Sequence, residues 1–294
     1  MLIVKNLCKG YGNGDILQDV SFQVDKGTIH GIIGENGSGK TTLIKCLTGI
    51  YKPDKGEILL EGDSVYENDN AKEKMGYVAD TNQYFNQFNI LRLAKFFEGM
   101  YPTFDMSEFN TLNEVFEINT SKRMRQLSKG QQMRVAYMLN MAIRPEILVL
   151  DEPTSGLDAI AKKDFMDILV TNVENRDMTV VISSHHLNDL EKICDNVTVI
   201  HKGKVQVSDT ILDAKQGIKK LQVVFPNGAP SEFYHMEGVL DFQNTGNIYT
   251  VIFSQKEGCN WTDRLEKMGA SYSEEIDVDL EEMFIYMNRG ERKI

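Results

Sequence analysis

The stretch Thr28-Ile-His-Gly-Ile-Ile33-Gly34-Glu35-Asn36-Gly37-Ser38-Gly39-Lys40-Thr41-Thr42 decides the fold. A short, mostly apolar run of this kind reads as a buried strand. It runs into a glycine-rich loop, and residues 40–49 continue with the apolar spacing of a helix. The pattern G-x-x-x-x-G-K-[ST] between a strand and a helix is a P-loop. Its three glycines let backbone N–H groups turn inward on phosphate oxygens with no Cβ in the way. The helix starting at Lys40 adds the positive end of its dipole. Lys40 then meets the β- and γ-phosphates, and the Thr41 hydroxyl can ligate Mg²⁺.

Outward from this loop, the N-terminal segment reads as strands near 2–4 and 16–24, with further short strands near 57–60 and 76–78. Residues 82–144 change character, and helical patterns dominate near 90–100, 107–116 and 130–143. A bare apolar strand at 147–150 follows. Then come a helix (159–174), a strand (179–183), a helix (187–194) and a strand pair (197–201, 204–207). Strand–helix alternation with uninterrupted apolar strands predicts a parallel α/β sheet. The helical stretch is an insertion into that sheet. Beyond about residue 215 the pattern becomes a small α+β unit, with strands near 221–225, 239–242 and 249–253 and helices near 261–268 and 280–288.

The chain has 294 residues, 41% of them apolar and 26% charged, with a net charge of −11. This is the composition of an ordinary soluble protein large enough for a sizeable core. The acidic balance argues against nucleic acid as a partner. No apolar run reaches the roughly 18 residues of a membrane span, and residues 1–5 do not resemble a secretory signal. Cys8, Cys46, Cys194 and Cys259 are scattered without a C-x-x-C spacing, which predicts reduced thiols in a cytoplasmic protein.

A second polar site follows the strand at 147–150, which ends in Asp151-Glu152. One acid at a strand end can hold Mg²⁺, and the next can act on an attacking water. Leu127-Ser-Lys-Gly-Gln131 lies 20 residues before Asp151, Asp151-Glu-Pro-Thr-Ser-Gly-Leu-Asp158 follows, and Ser183-Ser-His185 comes after the next strand. This series over residues 1–210 resembles the nucleotide-binding subunits of ATP-binding cassette (ABC) transporters. The implied fold is α/β: a P-loop NTPase core with an antiparallel β subdomain and a helical insertion, followed by the α+β extension. The implied domains are 1–215, the cassette, and 216–294, an accessory domain.

The resemblance also implies roles. Tyr11 matches the aromatic that stacks on adenine. Gly34, Glu35, Asn36, Gly37, Ser38, Gly39, Lys40, Thr41 and Thr42 form the phosphate cradle of ATP. Asp151 is the magnesium acid, Glu152 the general base, and His185 the switch histidine at the γ-phosphate. His186 has no family role and reads as surface or packing. Ser128, Gly130, Gln131 and Asp158 serve the ATP of a second cassette, identical or not, arranged head to tail. ATP then acts as an adhesive between two subunits, and its hydrolysis opens the pair. A separate integral-membrane permease would hold the chain at the cytoplasmic face of the membrane. The Phe- and Leu-rich stretch 84–101 (Phe85, Phe88, Ile90, Leu91, Leu93, Phe96, Phe97) reads as a groove for a helix of that partner.

Two positions depart from the family pattern. Lys129 replaces the first glycine of LSGGQ. Asp80 stands where the family has a glutamine that touches Mg²⁺, and either Asp80 or Gln83 is expected to take over that contact. The resemblance is strongest to bacterial ABC-2 type exporter ATPases of the antibiotic and multidrug efflux group. The rival class is a soluble ABC ATPase acting on nucleic acid or ribosomes; one cassette without a long heptad run speaks against it. The acidic run 274–282 reads as a solvated strand-to-helix transition.

Overall fold

Alternation of apolar and polar residues builds the first sheet. In β1 (Leu2–Tyr11) and β2 (Gly14–Val24), Leu2, Val4, Leu7, Leu17, Val20, Phe22 and Val24 are buried, with exposed or half-buried residues between them. In the computed structural model, which describes residues 1–12, 14–81, 86–254 and 260–289, these strands pair antiparallel. β4 (Lys55–Leu60) and β5 (Asp63–Ser64) complete a sheet of order β2-β1-β4-β5.

The second sheet has order β10-β9-β3-β8-β7-β6. Its strands are β3 (Ile29–Gly34), β6 (Met75–Val78), β7 (Ile147–Asp151), β8 (Thr179–Ser183), β9 (Asn196–His201) and β10 (Lys204–Thr210). β3, β7 and β8 are buried along their whole length. β3 pairs parallel with β8 and β9, and β7 with β6 and β8. Parallel strands covered on both faces need continuous apolar runs, and these have them. One core joins the two sheets through α1 (Lys40–Leu47): Leu43 and Leu47 pack with Leu7, Leu17, Ile32, Val149 and Val181.

Between β4 and β7 lie α2 (Asp69–Glu73), α3 (Ile90–Met100), α4 (Met106–Phe116) and α5 (Lys129–Ala142). Their starts are capped by side chains: Asn89 accepts from the Arg92 N–H and Asp105 from the Ser107 N–H. In α3, Ile90, Leu93, Ala94 and Phe97 face inward, whereas Leu91, Phe96 and Met100 are exposed. Phe85 and Gln83 lie outside the described residues. α6 (Ala159–Arg176) follows β7, capped by Asp158.

The helix expected over 187–194 is shorter: α7 runs Leu187–Leu190. The apolar spacing continues, but the chain must turn into β9, where Asp195 is pinned to Ile29 by two hydrogen bonds, at 2.8 and 2.9 Å.

The chain forms two compact units: residues 1–186 with 192–208, and residues 187–191 with 209–294. The second contains α7, α8 (Ile211–Lys215), α9 (Trp261–Lys267), α10 (Leu280–Arg289) and a sheet of order β12-β13-β11-β14. Its strands are β11 (Ile218–Val224), β12 (Val239–Thr245), β13 (Ile248–Ser254) and β14 (Tyr272–Ile276). β14, leading on to α10, gives the acidic run 274–282 the strand-to-helix form expected of it. It pairs antiparallel with β11, and Glu275 and Glu282 bind Lys219 and Lys220 at 2.8 and 2.6 Å. Cys8, Cys46 and Cys194 are free thiols, and Cys259 lies outside the described residues.

Candidate functional site

Three neighbouring strands of the parallel sheet, β3, β8 and β7, end side by side, and each hands a polar segment to the same edge. Ligands of open α/β sheets bind at the carboxyl ends of strands. At the end of β3, Gly34 is required by space: a Cβ there would stand 2.4 Å from Ser38 Oγ and 2.5 Å from the Ile200 carbonyl. Gly37 and Gly39 have φ of 83° and 109°, the left-handed region that favours glycine.

The loop wraps around the Lys40 side chain, which is only 8% exposed. Its Nζ donates to the carbonyls of Gly34 at 2.7 Å and Glu35 at 3.3 Å. Burial lowers the Lys40 pKa from its ordinary value, and the charges of Glu152 and Asp151 oppose the shift. Among the described residues Ser38 Oγ is buried with no hydrogen-bond partner, and α1 begins without a side-chain cap. An orphaned buried hydroxyl and an uncapped helix start suit a polyphosphate, which supplies the missing acceptors. Tyr11, 47% exposed, stands edge-on to Tyr51 at 5.9 Å.

Asp151 closes β7 and is 2% exposed. The Ser183 hydroxyl donates to its Oδ1 at 2.7 Å. Burial raises its pKa; the Ser183 hydrogen bond and the Thr41 hydroxyl act against this, while the charges of Glu152 and Asp80 add to it. Thr41, at the start of α1, is near enough to Asp151 to act on its pKa, and the oxygens of the two residues suit a hard divalent cation.

Glu152 has φ of 50°, an uncommon conformation for a residue with a Cβ. Its N–H donates to the Ser183 carbonyl and to Ser183 Oγ, each at 3.1 Å, which holds the strained turn. Glu152 Oε2 accepts from His185 Nδ1 at 2.6 Å and from the His185 N–H at 3.3 Å. Carboxylate and imidazole are thus joined at the strand ends, beside Asp151. The exposed His186 ring lies 4.0 Å from that of His185.

The remaining expected residues stand elsewhere in the fold. Ser128 caps α5 by accepting from the Gln131 N–H, and Gln131 Oε1 accepts from the Ser128 N–H, a reciprocal capping box. Gly130 packs so closely that a Cβ would stand 2.8 Å from Leu157 Cδ2. Asp158 caps α6. Among the described residues, no hydrogen bond joins Ser128, Gly130 or Gln131 to the loop 34–42. Asp80 is ion-paired with Lys129 at 2.6 Å.

Ser183 was not singled out from the sequence, although it heads the quoted Ser183-Ser-His185; its burial against Asp151 is a tertiary fact. Lys129 appeared there only as a departure.

Residues 17–155 match the family described as ABC transporter. The lantibiotic transport ATP-binding protein SrtF of Streptococcus pyogenes is 31% identical over 229 residues, which cover 76% of this chain and 98% of that protein. The chain belongs to the ABC transporter ATP-binding proteins. The ABC transporter ATP-binding protein YtrB of Bacillus subtilis is 29% identical over 295 residues and matches the whole length of both chains. A solved structure, of an ATP-binding subunit of an ABC transporter, superposes with a TM-score of 0.68 at 26% identity, covering 74% of this chain and 92% of that one. The chain is accordingly an ABC-type ATPase that binds ATP. Cassettes of this family form dimers and work with membrane permeases. Among the described residues, no helix is long and apolar enough to cross a membrane.

Proposed function

We propose that the chain is the ATP-hydrolysing subunit of an exporter, paired head to tail with a second cassette and bound to a separate permease at the cytoplasmic face of the membrane. The observation that carries the mechanism is the Glu152–His185 contact beside Asp151 and the Lys40 loop. The efflux reading is supported by similarity to a lantibiotic transport protein. We assign residues 1–215 to the cassette and 216–294 to an accessory domain, a division close to the break between the compact units at 208.

ATP phosphates are cradled by Gly34, Glu35, Asn36, Gly37, Ser38, Gly39 and Lys40, with Thr42 toward the α-phosphate and Tyr11 under the adenine. Thr41 and Asp151 would hold Mg²⁺, which when bound would draw charge from the γ-phosphoryl oxygens. Glu152 takes a proton from water as its oxygen attacks the γ-phosphorus in line. The bond to the ADP oxygen breaks, and ADP and phosphate result. His185, held by Glu152, steadies the γ-phosphate and the water. Ser128, Gly130, Gln131 and Asp158 face the nucleotide of the partner cassette. Hydrolysis removes the bridge and the pair opens.

Glu152→Gln tests this. ATP binding should persist, turnover should fall by about a hundredfold or more, and light scattering should find an ATP-dependent dimer. Turnover at the wild-type rate overturns the assignment of Glu152.

A further inference from the structure

The two positions that depart from the family pattern, Asp80 and Lys129, are 49 residues apart in sequence and bonded to each other. Lys129 is the first residue of α5. Its methylene stem lies over Gly156, where a Cβ would stand 3.6 Å from Lys129 Cδ. Its ammonium then donates to Asp80 Oδ1 at 2.6 Å and to Ser155 Oγ at 3.1 Å. The Ser155 N–H in turn donates to the Glu152 carbonyl at 3.1 Å. One cation therefore ties together the segment after β6, the start of α5 and the turn that carries Glu152. It also offsets the charge of Asp80, a carboxylate close enough to Asp151 to act on it.

We propose that Lys129 is a positioning residue for the hydrolysis. It holds the Asp80 segment and α5 against the Glu152 turn, so that Glu152 keeps the strained backbone that aims its carboxylate at water and at His185. Asp80 serves here as the partner of this cation. The Gly130 contact with Leu157 and Gly156 fixes the backbone of α5 on the same turn, and Lys129 adds the polar half of that junction. The inference rests on the assignment of Glu152 as the base. Because the pair is half exposed, its weight is modest and falls with salt.

The test is a mutant cycle on the full chain: Lys129→Ala, Asp80→Asn, the double variant and Lys129→Arg. Two readouts are taken: steady-state ATPase against ATP concentration, and hydrogen exchange of the Ser155 and Leu157 amides without nucleotide. Each single variant should lower kcat about three- to fivefold, the factor expected of a modest ion pair, with KM nearly unchanged. The double variant should be no worse than the poorer single one, and Lys129→Arg should retain most of the activity. Exchange should quicken in the same non-additive pattern. Effects that multiply in the double variant, or no change in kcat and exchange, overturn the proposal. A wild-type chain without turnover overturns the role of Glu152 instead, and exchange alone then decides on Lys129.

Discussion

The two compact units differ in what they bury. In the first, Lys40, Asp151, Ser183, Ser38, Thr154 and His30 are all at most 8% exposed, and most gather where strands end. In the second, the buried set is apolar and aromatic: Phe225, Phe233, Phe253, Tyr249 and Trp261 form one cluster. Its charges stay near the surface as pairs such as Lys219–Glu275. Burying a polar group costs free energy unless it is hydrogen-bonded. A unit that keeps an orphaned hydroxyl and a buried lysine beside two acids is built around a charged ligand. Among its described residues the second unit buries no lysine and no orphaned hydroxyl, only the Trp261 Nε1 within its aromatic cluster, and is built for packing. Substitutions at the strand ends of the first unit should therefore affect chemistry, and those in the second unit stability.

The largest expected effect lies in the second unit. Phe233 is fully buried and meets Phe225, Tyr249 and Phe242 at centroid distances of 5.2, 5.5 and 6.0 Å. Phe233→Ala should cost about 3–5 kcal/mol of that unit's stability, seen as an early transition in urea. ATP affinity should hold at denaturant concentrations below it. A parallel loss of ATP binding would break the comparison.

His30 supplies the next effect, in the first unit. Its ring is 1% exposed, stacks on Phe22 at 5.5 Å and bonds the Thr198 hydroxyl at 2.7 Å. Burial lowers its pKa to about 4. The unfolded chain thus takes up a proton near pH 6.5, while the native chain resists until about pH 4. Stability is present above pH 6.5 and is lost as pH falls through that window, by up to about 3 kcal/mol. His30→Gln should flatten this loss in urea titrations between pH 7 and 4.5; an unchanged slope would put the acid sensitivity elsewhere.

Legibility in the sequence follows the same division. The strand, loop and helix around Lys40 are local and motif-bound, so both their form and their chemistry could be read. α3 and β8 begin and end where the pattern predicts, because α3 buries one face at helical spacing and β8 is an unbroken buried run. The strand-to-helix form of 274–282 could be read, but not the partner of β14: Glu275 is held by Lys219 of β11, 56 residues away. The Asp80–Lys129 bond escaped for the same reason: each residue reads alone as a departure, and only the fold brings them together. Ser183 is similar, since nothing local says that a serine at a strand end will serve two acids at once.

Lys40→Ala probes the ligand side directly. Among the described residues the lysine bonds loop carbonyls alone, so its loss removes a charge proposed to meet phosphate and little apolar packing. ATP affinity should fall about tenfold or more, as for the loss of a charge-assisted hydrogen bond. The thermal midpoint should hold, because the lowered pKa already marks an ammonium that burial disfavours. Calorimetric titration and a melt decide. Unchanged affinity removes Lys40 from the site, and a collapsed melt makes it structural.

The smallest effect belongs to Glu191, at the end of the five residues, 187–191, that join the second unit. Its Oε2 accepts from the Leu280 N–H at 2.9 Å at the start of α10, and its Oε1 is bonded by Lys215. The side chain is 21% exposed, so the charged part of this contact is partly screened. Glu191→Gln keeps an acceptor for Leu280 and loses the ion pair. It should cost about 0.5–1 kcal/mol of the second unit's stability, visible as a small shift of the urea transition. The informative measurement is turnover. His185 lies only six residues upstream, on the first unit's side of the chain break, and its hold on Glu152 does not involve Glu191. If the units divide chemistry from packing, kcat should stay at its wild-type value while stability drops. A fall in kcat larger than the loss of folded protein would mean that the packing unit sets the position of His185, and the division drawn from burial would fail at the point where the chain crosses between the units.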